Sequence, residues 1–250
     1  MAVDTEGAGA VTAGARYQRI VLKVSGESLG SPGIQLNPLR FAETAQSIAE
    51  LRDMGVCVTV VVGGGNIFRG RDSLEWDVDQ DTADEVGMAA TGVNAKLLSG
   101  KLRAKGVPHQ IFSRGTASGS GVRYEPANMR TLLADGQVAI IAGGSGETGH
   151  STDLPAIQAA IDTGAEVVIM SKHGVQGVHD ADPKLTPYAK LLAELTASGA
   201  LRANLAVMDP AALILARDNG KLIHVIGAAV PDGVRHAVEG KEIGSVIYPR

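Results

Sequence analysis

Arg69 stands just past three consecutive glycines, and that spacing is the first sign of chemistry in the sequence. Gly63, Gly64 and Gly65 close an apolar run, VCVTVVV, and Asn66 follows them at once. Glycine lets a ligand approach the bare backbone, and the planar arginine fork matches two phosphate oxygens together. A tight turn with a solvent-facing arginine is the plainer reading, but a turn seldom needs three glycines. Lys23 has a similar setting, at or near the end of the run YQRIVLKV and directly before the glycine and hydroxyls of Ser25-Gly26-Glu27-Ser28-Leu29-Gly30.

A second glycine-rich stretch carries two apparent motifs that fail on inspection. Gly144-Ser145-Gly146-Glu147-Thr148-Gly149 spells G-x-G-x-x-G between an expected strand and an expected helix. A dinucleotide site also wants an acid about 20 positions on, at the end of the next strand, to hold a ribose. That strand ends in Met170-Ser171-Lys172, without one. Gly144 and Gly149 also have P-loop spacing, but His150-Ser151 follows where the lysine should be, and a mostly neutral histidine cannot supply its permanent charge. His150, His173 and His179 fall in two loops with no metal-ligand spacing, and Cys57 is the single cysteine, so no metal site is predicted.

The elements that must position these residues follow from hydrophobic pattern. Strands are expected over 17–24, 56–62, 107–112, 137–142, 166–170, 222–226 and 245–248. Helices are expected over 38–54 behind an Asn37 cap, 82–105, 126–134, 153–163, 190–198, 210–218 and 232–238. Residues 71–80 read as a polar connection, 114–123 as a loop, and 172–189 as irregular. Strand, loop and helix recur without an internal repeat or a separating linker. The order predicts one α/β domain over 17–250, a mostly parallel sheet with helices on both faces, and ligands beyond the carboxyl ends of its strands.

The bulk properties narrow the partners. The chain has 250 residues, 44% of them apolar but only 3% aromatic, so its core is expected to be Val, Ile, Leu and Ala. A formal charge of −4 offers no broad positive field, which argues against polymeric nucleic acid. No apolar run approaches the roughly 20 residues of a membrane helix, and one cysteine cannot form an internal disulfide. The expectation is a cytoplasmic protein, and residues 1–16 read as a mobile Gly/Ala-rich tail without the features of a secretion signal.

Four separated pieces together carry a resemblance: LKVSGES at 22–28, GGGNIFRG at 63–70, TADEVGMAAT at 82–91 and STD at 151–153. They are similar to the bacterial uridylate kinases of the amino acid kinase family, and DADP at 180–183, VMDPAALILARD at 207–218 and EGKEIGSVI at 239–247 continue the likeness in order. The resemblance implies a three-layer αβα sandwich and a homohexamer. It also implies transfer of the ATP γ-phosphoryl group, with Mg²⁺, to UMP or a related pyrimidine nucleotide. It places Lys23, Val24, Ser25 and Gly26 at ATP, Gly64 at the acceptor nucleotide, Gly65 and Arg69 at phosphates, and Asp84 at the acceptor ribose. Ser145, Gly146, Glu147, Thr148, Gly149, His150, Ser151 and Thr152 match the acceptor loop, and Asp153 the aspartate that organises the catalytic lysines. His173, His179 and Asp182 lie where the family meets the ATP base and sugar. Phosphoryl transfer needs positioning and positive charge rather than a protein nucleophile, which suits this set.

The sequence departs from that family in two places. The acceptor loop lacks the usual proline and two aromatics and carries Glu147, a carboxylate suited to an amino-bearing base. In the second, a gapless alignment sets Ser171 at the second catalytic lysine, with Lys172 one residue later. Strand alternation would turn Lys172 to the opposite face, so Lys172 is expected to serve only if the loop has already begun. Two other readings stand beside the kinase: a non-catalytic member that binds or stores a nucleotide or oxoanion, and a carboxylate or carbamate kinase.

Overall fold

In the computed structural model, residues 14–70, 73–115, 119–149, 151–183, 185–186, 188–205 and 208–250 are described. Strand β1 (Arg19–Val24) leads through a 3-10 turn, Gly26–Leu29, to helix α1 (Pro38–Asp53). Asn37 starts α1 by accepting from the Leu39 amide at 3.0 Å, with Pro38 at the first helical position, where a missing N–H costs no hydrogen bond. Next come β2 (Cys57–Val62), the short α2 (Ser73–Trp76) and the 25-residue α3 (Gln80–Ala104), whose cap Asp79 accepts from the Thr82 amide at 2.7 Å. The chain continues as β3 (His109–Ser113), β4 (Val122–Arg123), α4 (Pro126–Ala134), β5 (Val138–Ala142), α5 (Asp153–Thr163) and β6 (Val167–Lys172). It closes with β7 (Glu194–Thr196), α6 (Ala197–Arg202), α7 (Pro210–Asp218), β8 (Leu222–Gly227), α8 (Gly233–Val238) and β9 (Ser245–Tyr248).

The strands form one nine-stranded sheet in the order β4-β3-β5-β2-β1-β6-β8-β9-β7, with every neighbouring pair parallel except β8 and β9. Side-chain alternation divides the core into two layers. Ile20, Leu22, Val58, Val60 and Ile140 pack against α1, α3 and α8; Val21, Val61, Ile141, Val168 and Met170 pack against α4, α5, α6 and α7. The three-layer αβα sandwich follows from central strands that are apolar on both sides.

Strand β1 lies between β2 and β6, and the chain leaves β1 toward one edge of the sheet and β6 toward the other. Connections that part in this way open a crevice at the carboxyl ends, where open α/β sheets bind ligands. Lys23, next to last in β1, and Lys172, last in β6, stand at the ends of the two strands that flank it.

Four segments differ from the sequence expectation. The helix expected over 190–198 is instead β7 followed by α6, because Glu194, Leu195 and Thr196 pair with Val246, Ile247 and Tyr248 of β9. A partner some 50 residues away overrides local helical spacing there, and Thr196 then caps α6 through the Gly199 amide. The loop over 114–123 ends in β4, which extends the sheet edge, and the connection over 71–80 contains α2. Strand β6 runs on to Lys172, two residues past its expected end.

Candidate active site

Lys23 is buried although charged, with 7% of its surface exposed. Strand alternation points it to the α5 side of the sheet, where its Nζ meets Asp153 Oδ1 at 2.9 Å. Asp153 opens α5, so its carboxylate also lies at the positive end of the helix dipole. Its own N–H donates to Ser151 Oγ at 3.2 Å, and its Oδ2 accepts from the Asp209 N–H at 3.4 Å. Ser151 Oγ in turn donates to Asp209 Oδ2 at 3.4 Å, which ties the cap of α7 to the start of α5.

Lys172 joins the pair: its Nζ stands 3.6 Å from Asp153 Oδ2. The register explains how. Lys23 is directly opposite Met170 and Val24 opposite Ser171, so Met170 and Lys172 share the face of Lys23 while Ser171 turns to the α1 side. The expectation that Lys172 needs the loop to have begun is therefore overturned. It is still in the strand, and alternation is what delivers it to Asp153.

Burial alone would push the Asp153 carboxyl up; the Lys23 and Lys172 ammoniums outweigh it and hold the group below the ordinary aspartate value. Burial pulls the Lys172 ammonium below the usual lysine range, against the opposing attraction of Asp153. One carboxylate thus aligns two cations at the mouth of the crevice, an arrangement suited to an anion with several oxygens.

The glycine loops bring further residues to the rim. Val24 ends β1, Ser25 precedes the 3-10 turn and Gly26 opens it; the Gly63 N–H donates to Val24 O at 2.8 Å. A Cβ on Gly26 would stand 2.5 Å from Gly65 N, and one on Gly64 would stand 2.6 Å from Gly87 O in α3. None of Gly63, Gly64 and Gly65 has a left-handed φ. Close packing of backbone on backbone, rather than an unusual turn, accounts for Gly63 and Gly64, whereas Gly65 has ordinary space around it. Arg69 folds back over Gly65, its Nε donating to Gly65 O at 3.1 Å, and its Nη2 pairs with Glu27 Oε1 at 2.5 Å. His173 is exposed and lines the same cavity of about 610 Å³.

Asp84 lies one turn inside α3. Its Oδ2 accepts the Gly149 N–H at 2.6 Å and its Oδ1 accepts from Gln80 at 2.8 Å, so it ties the 145–152 loop to the helix. In that loop Ser145 Oγ donates to Glu147 O at 2.8 Å and accepts from Glu147 N at 3.2 Å, Thr148 is half-buried, and Glu147 is exposed. Thr152 precedes α5, and His150 lies outside the described residues. His179 and Asp182 sit on the segment after β6. His179 bridges Leu191, and the exposed Asp182 accepts from the Thr186 N–H at 2.8 Å through its carbonyl.

Sequence reasoning gave no role to three residues, Asp209, Asn94 and Glu27. Asp209 orients Asp153. Asn94, fully buried in α3, donates to Gly63 O and to Asn66 Oδ1 at 2.7 Å each, holding the glycine loop. Asn66 also donates to Gln35 O at 2.8 Å. Glu27 grips Arg69. A polar residue at 0% exposure in a helix leaves no mark in a hydrophobic pattern, and only the fold shows its partner.

Residues 18–227 match the amino acid kinase family. The chain belongs to the amino acid kinase family. Its relatives include the uridylate kinase of Frankia casuarinae, 36% identical over 93% of this chain and 90% of that one. The uridylate kinase of Legionella pneumophila is 37% identical over 93% and 94%. Among solved structures, the UMP kinase of Bacillus anthracis superposes with a TM-score of 0.88 at 33% identity, covering 93% of this chain and 96% of that one. For this family member the αβα fold and the parallel sheet are thus shared with solved kinases. The paired lysines sit at the crevice that such a sheet offers.

Proposed function

We propose that this protein is a UMP kinase, transferring the γ-phosphoryl group of ATP to the phosphate of UMP and releasing ADP and UDP. The observation that carries the reading is the Lys23–Asp153–Lys172 cluster at the carboxyl-end crevice, in a chain whose relatives are named uridylate kinase. An oxygen of the UMP phosphate attacks the γ-phosphorus while the bond to the ADP oxygen breaks, and charge spreads over the transferred oxygens. Lys23 and Lys172 meet that charge; Asp153 keeps both ammoniums in place, so little reorganisation is needed as the reaction proceeds. Arg69 and the 63–65 backbone hold phosphate, with Val24, Ser25 and Gly26 on the ATP side. Asp84 and the 145–152 loop take the acceptor nucleoside. His173, His179 and Asp182 take the ATP base and sugar.

Among the described residues no group of three or more His, Cys, Asp or Glu side chains is placed to hold a metal. Mg²⁺ would enter on the ATP phosphates and supply neutralisation of their oxygens. Among the described residues no helix is long and apolar enough to cross a membrane. A cytoplasmic homohexamer is the expected state. Val86, Val93 and Leu97, 41%, 44% and 41% exposed along α3, support contact between copies.

An ADP-release assay over UMP, CMP, dUMP and dCMP with ATP and Mg²⁺ tests the activity. Turnover with UMP supports it, and none with any pyrimidine monophosphate refutes it. Light scattering on the eluting protein should give a mass several times that of the chain, and a monomer would refute the oligomer.

A further inference from the structure

Glu27 holds the very group that a substrate phosphate needs. Its Oε1 is 2.5 Å from Arg69 Nη2, while Arg69 Nε is turned to Gly65 O at 3.1 Å. Carboxylate and phosphate offer an arginine fork the same pair of oxygens, so the two are competitors for one guanidinium. The pair lines the open cavity with Gly65, Asn66 and His173. The charge of Glu27 also reaches Lys172 and favours its ammonium form.

Two facts make the contact exchangeable. The side chains of Arg69 and Glu27 are 35% and 39% exposed, and ion pairs at that exposure contribute little to stability. A nucleotide phosphate near neutral pH carries close to two negative charges against one on Glu27, so it attracts Arg69 more strongly at equal distance. The site holds Lys23, Lys172 and Arg69 against Asp153 and Glu27, three cations and two carboxylates. Leaving Glu27 in the fork beside an arriving phosphate would set two anions on one cation.

We propose that Glu27 is a resident stand-in for the acceptor phosphate: it occupies the Arg69 fork in the empty enzyme, gives it up when UMP binds, and thereby sets the acceptor affinity. The proposal rests on the UMP kinase reading and on Arg69 as a ligand of the acceptor phosphate. Glu27 is a positioning residue in this account, since it acts through Arg69 and not on the reacting atoms.

The test is UMP binding by calorimetry together with steady-state kinetics for the parent, Glu27→Gln, Arg69→Ala and the double variant. Glu27→Gln should lower both the UMP Kd and the UMP KM by about 2- to 5-fold, the size of one exposed ion pair. Its KM for ATP should stay within about twofold of the parent. In the Arg69→Ala background the same change should leave the UMP Kd unaltered, because no fork remains to be contested. A UMP Kd that rises or stays put in Glu27→Gln overturns the proposal, as does an equal gain with and without Arg69, which would show a general field effect. A shift confined to the ATP KM would move Glu27 to the donor side and overturn it as well. A parent that neither binds nor phosphorylates UMP refutes the kinase reading and this proposal with it. A parent active on UMP with an unresponsive Glu27 refutes only the proposal.

Discussion

At the scale of single residues the cluster of Lys23, Asp153 and Lys172 makes sharp claims. In the proposed reaction, replacing Lys23 by Ala removes a charge aimed at the transition state, so kcat should fall by roughly 100-fold or more. Asp153 keeps Lys172 and the Asp209 N–H, so its carboxylate is not stranded and the circular dichroism spectrum should stay native. Lys172→Met should also lower kcat by at least about tenfold, whereas Ser171→Ala, on the other face, should change it by less than about twofold. Equal effects at 171 and 172 would contradict the strand register. Glu147 is exposed, in a loop whose shape Ser145 sets. If it reads the base, Glu147→Gln should shift the CMP-to-UMP ratio of kcat/KM by up to roughly a hundredfold, since a mismatched buried hydrogen bond costs about 1–3 kcal/mol. An unchanged ratio would assign Glu147 to solvent.

At the scale of elements, α3 supports both glycine-rich loops. Gly64 packs on it through Gly87 and Ala90, Asn94 holds Gly63 O, and Asp84 holds the Gly149 amide. The cap belongs to Asp79, so Asp84 is free of that duty. Asp84→Asn should raise the KM for the acceptor several-fold and leave that for ATP almost unchanged, because the loop it ties down is the one proposed to take the acceptor. The reverse pattern would move Asp84 to the donor side. Gly64→Ala would press a methyl group to 2.6 Å from Gly87 O and 2.9 Å from the Ala90 Cβ. Overpacking of that kind costs about 1–3 kcal/mol, readable as a lower midpoint in urea.

At the scale of the whole molecule, the sheet order decides where chemistry can happen, and burial decides how stability follows pH. His224 in β8 is 3% exposed, and its Nε2 donates to Ile243 O at 2.6 Å. Burial pulls its pKa below the ordinary 6.5, against the favourable Ile243 carbonyl and with a further push from Arg16. The unfolded chain therefore binds a proton that the folded chain refuses, so stability falls as pH drops below about 6.5 and stops falling once the folded histidine titrates. Asp153 is shifted in the same direction, held down by Lys23 and Lys172, so its contribution is likewise lost as pH falls, but only further into acid, below the ordinary aspartate value of 3.8. Urea unfolding between pH 7.5 and 5 should show the first loss, and His224→Gln should flatten it, wherever its absolute stability lies.

Much of this was readable from local pattern. The apolar runs of β1, β2 and β5 cannot offer a polar face, so they had to be buried strands. Asn37-Pro38 marks a helix start because a side-chain acceptor and a missing N–H suit that position. Lys23, Arg69 and the glycines announced anion chemistry through residue type and spacing, and the joint motifs indicated the family. What local pattern could not decide was anything set by a distant partner. β7 is a strand because β9 lies beside it, and Glu27 matters because a loop some 40 residues on turns Arg69 onto it. Lys172 serves Asp153 because pairing with β1 fixes its face, and a one-residue difference in register reverses every side chain of a strand. Composition and periodicity are properties of neighbours in the chain; register, partner and face belong to neighbours in space.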